Sequence, residues 1–341
     1  MIDSAPSGAG AVATAGHEGG AGKSETAGGI PLWPWGLLGL VTMPLLLAGM
    51  LVWYETRGGI LFGDIDWYAT GLRGLLSDGP LYDPSKLLPH PLDRPPFWDQ
   101  APSTALLTLL VLPGDGWVWG FTMFSATAVG LALIWPRVGP GGVVLLAPVL
   151  ILWLPVTSAF FWANVNALVF CLLAVAWRFP RAAGIAIGVA AAIKLVPILA
   201  VGWLAGKRDW RGLAWATAIP LVATGIVLVW KGPETLSDFI VLRLSQWTPE
   251  RPFRWGLADA GLSPVIGYGV AFCVAALAWW RVSFSLAVVA MLISIPALHA
   301  HYWTWLLVPL IGIWLPWLIR RSRGRFAVPV PAGPADTAAS T

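Results

Sequence analysis

Long apolar runs separated by short polar intervals make up most of the chain between positions 31 and 319. The runs cover 31–54, 101–113, 117–135, 141–155, 159–177, 182–205, 213–230, 262–280, 283–298 and 302–319. The first is long enough for a helix to cross a hydrocarbon core of about 30 Å. Several others fall short of the roughly 20 residues a perpendicular span needs. Short or broken helices are tolerated at membrane depth only where protein or a water-filled cavity covers their backbone. The pattern predicts an all-α integral membrane protein, a polytopic bundle of about ten transmembrane helices. Its largest polar interval, 55–100, follows the first run directly. That interval predicts a short amphipathic helix over Ile65–Leu76, with Trp67, Leu72, Leu75 and Leu76 toward lipid or protein. Prolines 80, 84, 89, 91, 95 and 96 then impose extended and turn conformations.

Composition agrees. The chain is 57% hydrophobic and 11% charged, whereas soluble domains carry about 25% charged residues. Residues 1–29, mostly Gly, Ala, Ser and Thr, have little to bury and read as a disordered cytoplasmic tail without a signal-peptide pattern. Residues 321–341 read as a second tail, leaving 30–320 as one membrane domain with outer loops at 55–100 and 231–261. Twenty-three Trp residues suit interfacial belts or the lining of a lipid or sugar groove. Cys171 and Cys273 both fall inside apolar runs and read as small buried hydrophobes rather than a disulfide or metal pair.

The net charge of +4 does not argue for nucleic acid, because the bases gather at helix ends. Lys207, Arg208 and Arg211, then Arg281, then Arg320, Arg321, Arg323 and Arg325, are all cytoplasmic if the N-terminus is inside and all ten runs cross. The 55–100 and 231–261 loops and the turn at 299–301 then share the outer face. The same count places Arg137, Arg178 and Arg181 outside and Asn164 near the inner face; a re-entrant hairpin around Lys194 reverses those assignments.

Several residues are candidates for chemistry. Interval 55–100 holds seven of the seventeen acids. Among them, Asp64 and Asp66 read either as a hydrated loop start or as a general base with a helper carboxylate. In an extended loop start, alternation points both the same way. Lys194 is the one base inside an apolar run. A charge there is costly and marks function, with a lipid phosphate as natural partner, unless it snorkels or meets a buried carbonyl. His299 and His301 stand two apart, which disfavours a metal pair. Arg243, Arg251 and Arg254 lie near Trp247, Phe253 and Trp255, a mixture suited to phosphate and carbohydrate or to a solvated loop with interface anchors. Asn164 and Asn166 would bond sugar hydroxyls or satisfy helix ends. No phosphate-cradling Gly loop, zincin motif or hydrolase elbow appears, and nothing calls for a metal or cofactor. A lipid-phosphate donor needs only a groove, whereas a nucleotide sugar would normally need a nucleotide-binding fold.

The stretch 63–84, GDIDWYATGLRGLLSDGPLYDP, resembles the first outer loop of the polyprenol-phosphate-mannose-dependent α-mannosyltransferases of actinobacterial envelopes, which have the GT-C membrane fold. In that family the Asp four residues before the Tyr is the catalytic base; the matching residues here are Asp64 and Tyr68, with 79–82 as the closing turn. Ile193-Lys194-Leu195-Val196-Pro197 matches the family's Lys-x-x-Pro motif, and His301-Tyr302 its late His-Tyr motif. Departures occur at Gln100-Ala101-Pro102, at Ala163-Asn164-Val165-Asn166, and at Leu298 and His299. The likeness covers about residues 36–320. It implies a polyprenyl-phosphate sugar donor, a glycolipid or polysaccharide acceptor and a site on the outer face of the plasma membrane. Asp64 would act as base, and Asp66, Tyr68, Asn164, Asn166, Lys194, Arg243, Arg254, His299, His301 and Tyr302 would hold substrate. Two alternatives stay open: transfer of another sugar such as arabinofuranose, and a non-catalytic flippase or assembly partner.

Overall fold

The computed structural model describes residues 48, 49, 52, 56, 64–82, 101–111, 116–134, 162–245, 261–295, 300–315 and 317. Every regular element among them is helical. In chain order they are α1 (Ile65–Leu76), α2 (Thr104–Leu107), continued by a 3-10 turn over Thr108–Val111, α3 (Gly116–Ile134), α4 (Asn166–Arg178) and α5 (Ala183–Ile193). A tighter segment, Val196–Ala200, leads into α6 (Val201–Gly206), followed by α7 (Trp210–Lys231), α8 (Glu234–Ser245), α9 (Pro264–Trp280) and α10 (Phe284–Ile293). A 3-10 stretch, Ala300–Leu306, and a π-helical stretch, Val308–Trp314, end the described bundle.

Local signals explain the helix starts. Asp209 accepts the Gly212 N–H at 2.9 Å ahead of α7. Ser263 and Ser283 accept the Ile266 and Leu286 N–H groups ahead of α9 and α10. Such caps are worth about 1 kcal/mol each. Small residues then let backbones touch, the usual device where lipid gives no hydrophobic drive between helices.

These close approaches fix chain direction. A Cβ on Gly184 would lie 2.2 Å from the Gly212 carbonyl oxygen, and one on Gly188 would lie 2.7 Å from that of Trp215. The register advances the same way on both helices, so α5 and α7 run parallel. Consecutive parallel helices need a return stroke, and the segment 196–206 supplies it. Gly202 abuts Ala275 and Gly206 abuts Trp279, so that return arm is parallel to α9. The last segment repeats the arrangement. Trp305 reaches Asn166, and Gly312 packs on Trp177, so 300–314 descends beside α4. Two hairpins result, 183–206 and 284–314. Their rising arms, of 11 and 10 residues, span only about 15–17 Å, roughly half a bilayer core.

The hairpins bring Arg178, Arg181, Lys207, Arg208, Arg211 and Arg281 to one end of the bundle. Gly184 and Gly212 lie beside Arg181 and Arg211, and Gly206 and Trp279 beside Lys207 and Arg281. The opposite end carries α1, the C-terminus of α7 and α8: Lys231 donates to the Ser77 carbonyl at 2.5 Å and Tyr82 packs on Phe239. Of the described helices, α7, with 22 residues, is long and apolar enough to cross a membrane by itself. The exteriors of α7 and α9 are apolar, with Leu221, Val222, Val229, Val265 and Phe272 facing outward.

Several expectations need correction. Residues 234–245 of the expected 231–261 loop are helix α8. Asp64 has helical backbone angles ahead of α1, so the alternation that aligned it with Asp66 does not exist there. On α1 the buried face is Tyr68 and Leu75, while Leu76 turns outward. Cys171 is half-buried and Cys273 faces outward, both with free thiols. Asn164, which ten uniform crossings would put near the inner face and a re-entrant hairpin near the other, sits beside Asp64, at the end of α4 remote from Arg178.

Candidate active site

Asp64 stands where an N-cap residue normally serves its own helix, yet its side chain makes no cap bond to α1. It is turned instead toward the loop ahead of α4, where the Asn164 Nδ2–H donates to Asp64 Oδ2. The Asp64 N–H is tied to the Trp162 carbonyl at 3.1 Å. Both side chains are buried, Asp64 at 7% exposure. The Asn164 Oδ1 accepts the Asn166 N–H at 2.9 Å, which fixes the amide orientation that aims its Nδ2 at the carboxylate. Ala163, between Trp162 and Asn164, has φ 49°, a left-handed conformation that costs an L-residue roughly 1–2 kcal/mol. Trp119 clamps this turn by donating to the Ala163 carbonyl at 2.8 Å, and Tyr68 stacks on Trp119 at 4.8 Å between ring centroids. The strained turn is thus held from several sides, as strained functional backbone requires. Deeper, the Asn166 side-chain amide is buried, and neither its Nδ2 nor its Oδ1 finds a hydrogen-bond partner among the described residues.

The second cluster lies where the two hairpins reverse. α5 ends at Ile193, and Lys194 leaves it in an extended conformation, φ −141° and ψ 127°. Pro197 explains the break. It has no N–H to offer the Ile193 carbonyl, and its ring clashes with that carbonyl in a continuous helix. Thr104 Oγ1–H supplies the missing bond to Ile193, and Ser103 Oγ–H bonds the Ala192 carbonyl at 2.6 Å. The break is therefore satisfied by α2, about 90 residues earlier, and it turns Lys194 inward at 7% exposure.

Lys194 Nζ donates to the Tyr302 hydroxyl at 2.6 Å and sits 4.3 Å from the Tyr302 ring centroid. Among the described residues no carboxylate pairs with this ammonium. A buried cation held only by a neutral hydroxyl and a ring face leaves capacity for an anion. It opens on a cavity of about 200 Å³ lined by Tyr302, Ser294, Ala101, Phe239 and Tyr268, and by the aliphatic side chains Leu195, Val196, Ile198 and Leu199. The cavity is cationic at one end and apolar along its length, with Leu195 and Phe272 at its outward margin. That combination suits an anionic head on a hydrocarbon chain.

Trp305 joins the clusters: its ring stands edge-on to Tyr302 at 5.3 Å, and its Nε1–H donates to the Asn166 carbonyl at 3.4 Å. The structure thus brings together Asp64, Tyr68, Asn164 and Asn166 in one cluster and Lys194 with Tyr302 in the other. Arg254 and His299 lie outside the described residues. For Asp66, Arg243 and His301 the backbone is placed, on α1, α8 and the 300–306 stretch. Sequence reasoning missed Trp119, Trp305, Ser103 and Thr104. The one signal available was Pro197, which announces an orphaned carbonyl without naming its partner.

Comparison with known proteins gives the chemistry a family. Proteins similar to this chain include the polyprenol-phosphate-mannose-dependent α-(1-2)-phosphatidylinositol pentamannoside mannosyltransferases of Mycolicibacterium smegmatis and Mycobacterium tuberculosis. Each is 26% identical to this chain; the matches cover 80% and 81% of it, and 75% and 71% of the relatives. A phosphatidylinositol mannoside mannosyltransferase of M. tuberculosis is 29% identical over 226 residues, 54% of this chain and 51% of the relative. No solved structure matches. At the family level the match is to glycosyltransferase family 87 across residues 95–330, more than half of the chain, and to that family the protein belongs.

Proposed function

We propose that this glycosyltransferase moves mannose from polyprenyl-phosphate mannose to a mannosylated phosphatidylinositol-type glycolipid at the outer face of the plasma membrane. The observation that carries this reading is the placement of Lys194. It is a buried cation with no counter-anion among the described residues, at the head of an apolar cavity, and is linked to the Asp64–Asn164 pair through Tyr302, Trp305 and Asn166. The donor phosphate sits at Lys194 and Tyr302 and its polyprenyl chain leaves along Leu195, Ile198 and Leu199. The acceptor enters beside Asp64. Asp64 takes the proton of the acceptor hydroxyl as that oxygen bonds to the anomeric carbon. The bond from that carbon to the phosphate oxygen breaks, and polyprenyl phosphate departs with the electron pair, its charge steadied by the Lys194 ammonium. Attack opposite the leaving group inverts the centre, so a β-linked donor yields an α-mannoside. Asp66, Arg243, Arg254, His299 and His301 complete the proposed substrate contacts.

Charge supports the topology of this reading. Six bases at one end favour the cytoplasm for that end, with Asp64 and α8 on the outer side. Residues 30–320 form the GT-C-like membrane domain between two cytoplasmic tails. Hairpins 183–206 and 284–314 enter from the cytoplasmic side and turn at mid-depth, where the Lys194–Tyr302 contact forms the floor of the outer site. Non-helical backbone at that depth is admissible because protein covers it.

The test is reconstitution of the purified chain with polyprenyl-phosphate mannose and phosphatidylinositol mannosides, with mass spectrometry of the lipid product. A gain of one hexose is expected. Asp64→Asn should lower turnover at least 100-fold, the range for loss of a general base, while donor binding stays close to wild type. Undiminished transfer by Asp64→Asn would reject the base, and no transfer from any mannosyl lipid would reject the function.

A further inference from the structure

A second cavity, with no lining residue in common with the first, opens at the basic end of the bundle. It holds about 660 Å³ and is formed by the turn after α6 and the outer face of α9, with Arg208, Trp210, Cys273, Ala276, Leu277 and Trp280 in its wall. Between the two cavities the backbones of the return arm and α9 touch at Gly202 and Ala275, and their contact at Gly206 and Trp279 forms part of the wall of the second. A molecule seated here is therefore not in the donor site.

The chemistry of this wall is ordered along α9. Cys273, Ala276, Leu277 and Trp280 follow the i, i+3, i+4, i+7 spacing of one helix face. They make an apolar stripe about 10 Å long, parallel to the helix axis. Arg208 and the Trp210 and Trp280 indoles stand at its basic end. The charged neighbours there are Arg178, Arg181, Lys207, Arg211 and Arg281. The single acid of the turn, Asp209, is engaged by the Gly212 N–H. Lys207 lies over Trp203 at 4.4 Å and Arg281 over Trp280 at 4.6 Å. The side chain of Arg208, exposed and carried on backbone with φ 58°, makes no hydrogen bond, ion pair or ring contact among the described residues; only its N–H is bonded, to the Ala205 carbonyl at 2.9 Å.

We propose that this groove is a site for one acidic phospholipid of the cytoplasmic leaflet, its phosphodiester on Arg208 and an acyl chain along Cys273, Ala276 and Leu277. An Arg fork matches phosphate oxygens, and indoles favour the headgroup depth. Six cations against one engaged acid select an anionic lipid over a zwitterionic one. The leaflet assignment rests on the cytoplasmic placement of the basic end proposed above; the binding site itself does not.

The test is native mass spectrometry of the detergent-solubilised full chain titrated with phosphatidylglycerol or with phosphatidylcholine of identical acyl chains. One phosphatidylglycerol should be retained with at least fivefold higher occupancy than phosphatidylcholine. Arg208→Gln should remove that preference, Arg208→Lys should restore part of it, and Arg181→Gln, outside the groove, should leave it intact. Leu277→Trp, which fills the groove without touching charge, should displace the lipid and guards against a misfolded Arg208 variant. Equal retention of the two lipids, or an undiminished preference in both Arg208→Gln and Leu277→Trp, overturns the site. A polyprenyl phosphate that displaces phosphatidylglycerol at equal concentration overturns the choice of ligand. Labelling of Arg208→Cys from the outer side overturns the leaflet, and it equally counts against the topology. Loss of mannosyl transfer in the Asp64→Asn protein bears on neither lipid measurement, so the two proposals fail separately.

Discussion

Pro197 and Thr104 form a pair in the sense that one removes a donor and the other returns it. The Ile193 carbonyl would accept the N–H four residues on, which proline lacks. Thr104 Oγ1–H fills the gap across 89 residues of sequence. Thr104→Val keeps the side-chain shape and leaves that buried carbonyl unbonded, a loss of about 1–3 kcal/mol. Because the carbonyl belongs to the residue before Lys194, part of that loss should appear in donor recognition. The expected result is a raised KM for the polyprenyl donor with a smaller change in kcat, and recovery in Thr104→Ser. A fall in stability with donor KM unmoved would make Thr104 structural only. At this scale the sequence singled out the charged members of the candidate site. Lys194 was legible because an ammonium in an apolar run has no bland environment. Asp64 was legible from its motif, but Asn164, 100 residues away and its hydrogen-bond donor, could be tied to it only by folding. The buried Trp119 and Trp305 could not be singled out among 23 tryptophans.

Among the helices, the contact of α5 with α7 shows how small residues set geometry. Gly184 meets Gly212 backbone to backbone, so Gly184→Ala drives a methyl into atoms that cannot move without separating the helices. Overpacking of this kind costs about 1–3 kcal/mol and here should also shift the hairpin tip that carries Lys194. Gly225 sits inside α7 with open space where a Cβ would go. Gly225→Ala should therefore stabilise by about 0.4–1 kcal/mol through the unfolded chain and helix propensity. Thermal unfolding of both variants in one detergent checks the pair: the melting temperature should fall for Gly184→Ala and rise for Gly225→Ala. Periodicity located α1 to the residue, because a solvated amphipathic helix has one polar and one apolar face. It could not divide run 182–205 at Lys194 into two arms. An apolar run reads the same whether the chain continues or reverses, and the deciding contacts are glycine-to-backbone approaches that carry no hydropathy.

For the molecule as a whole, the distribution of charge and the direction of the chain give one answer together and different answers apart. Counting ten uniform crossings puts Arg181 outside and Arg281 inside. The parallel register of α5 with α7 puts both at one end, with Lys207, Arg208 and Arg211. Single cysteines decide the matter after Cys171→Ala and Cys273→Ser clear the background thiols. Arg181→Cys and Arg281→Cys should react with a membrane-impermeant maleimide in inverted vesicles and stay silent in intact cells. Asp78→Cys, in the exposed turn after α1, should do the reverse. Labelling of Arg181→Cys from outside would restore the uniform crossings and remove the half-depth hairpins. With them would go the physical reason for a cation at Lys194: a helix that simply crosses has no use for a charge at its middle, whereas two arms that turn back there make a floor on which a lipid phosphate can rest.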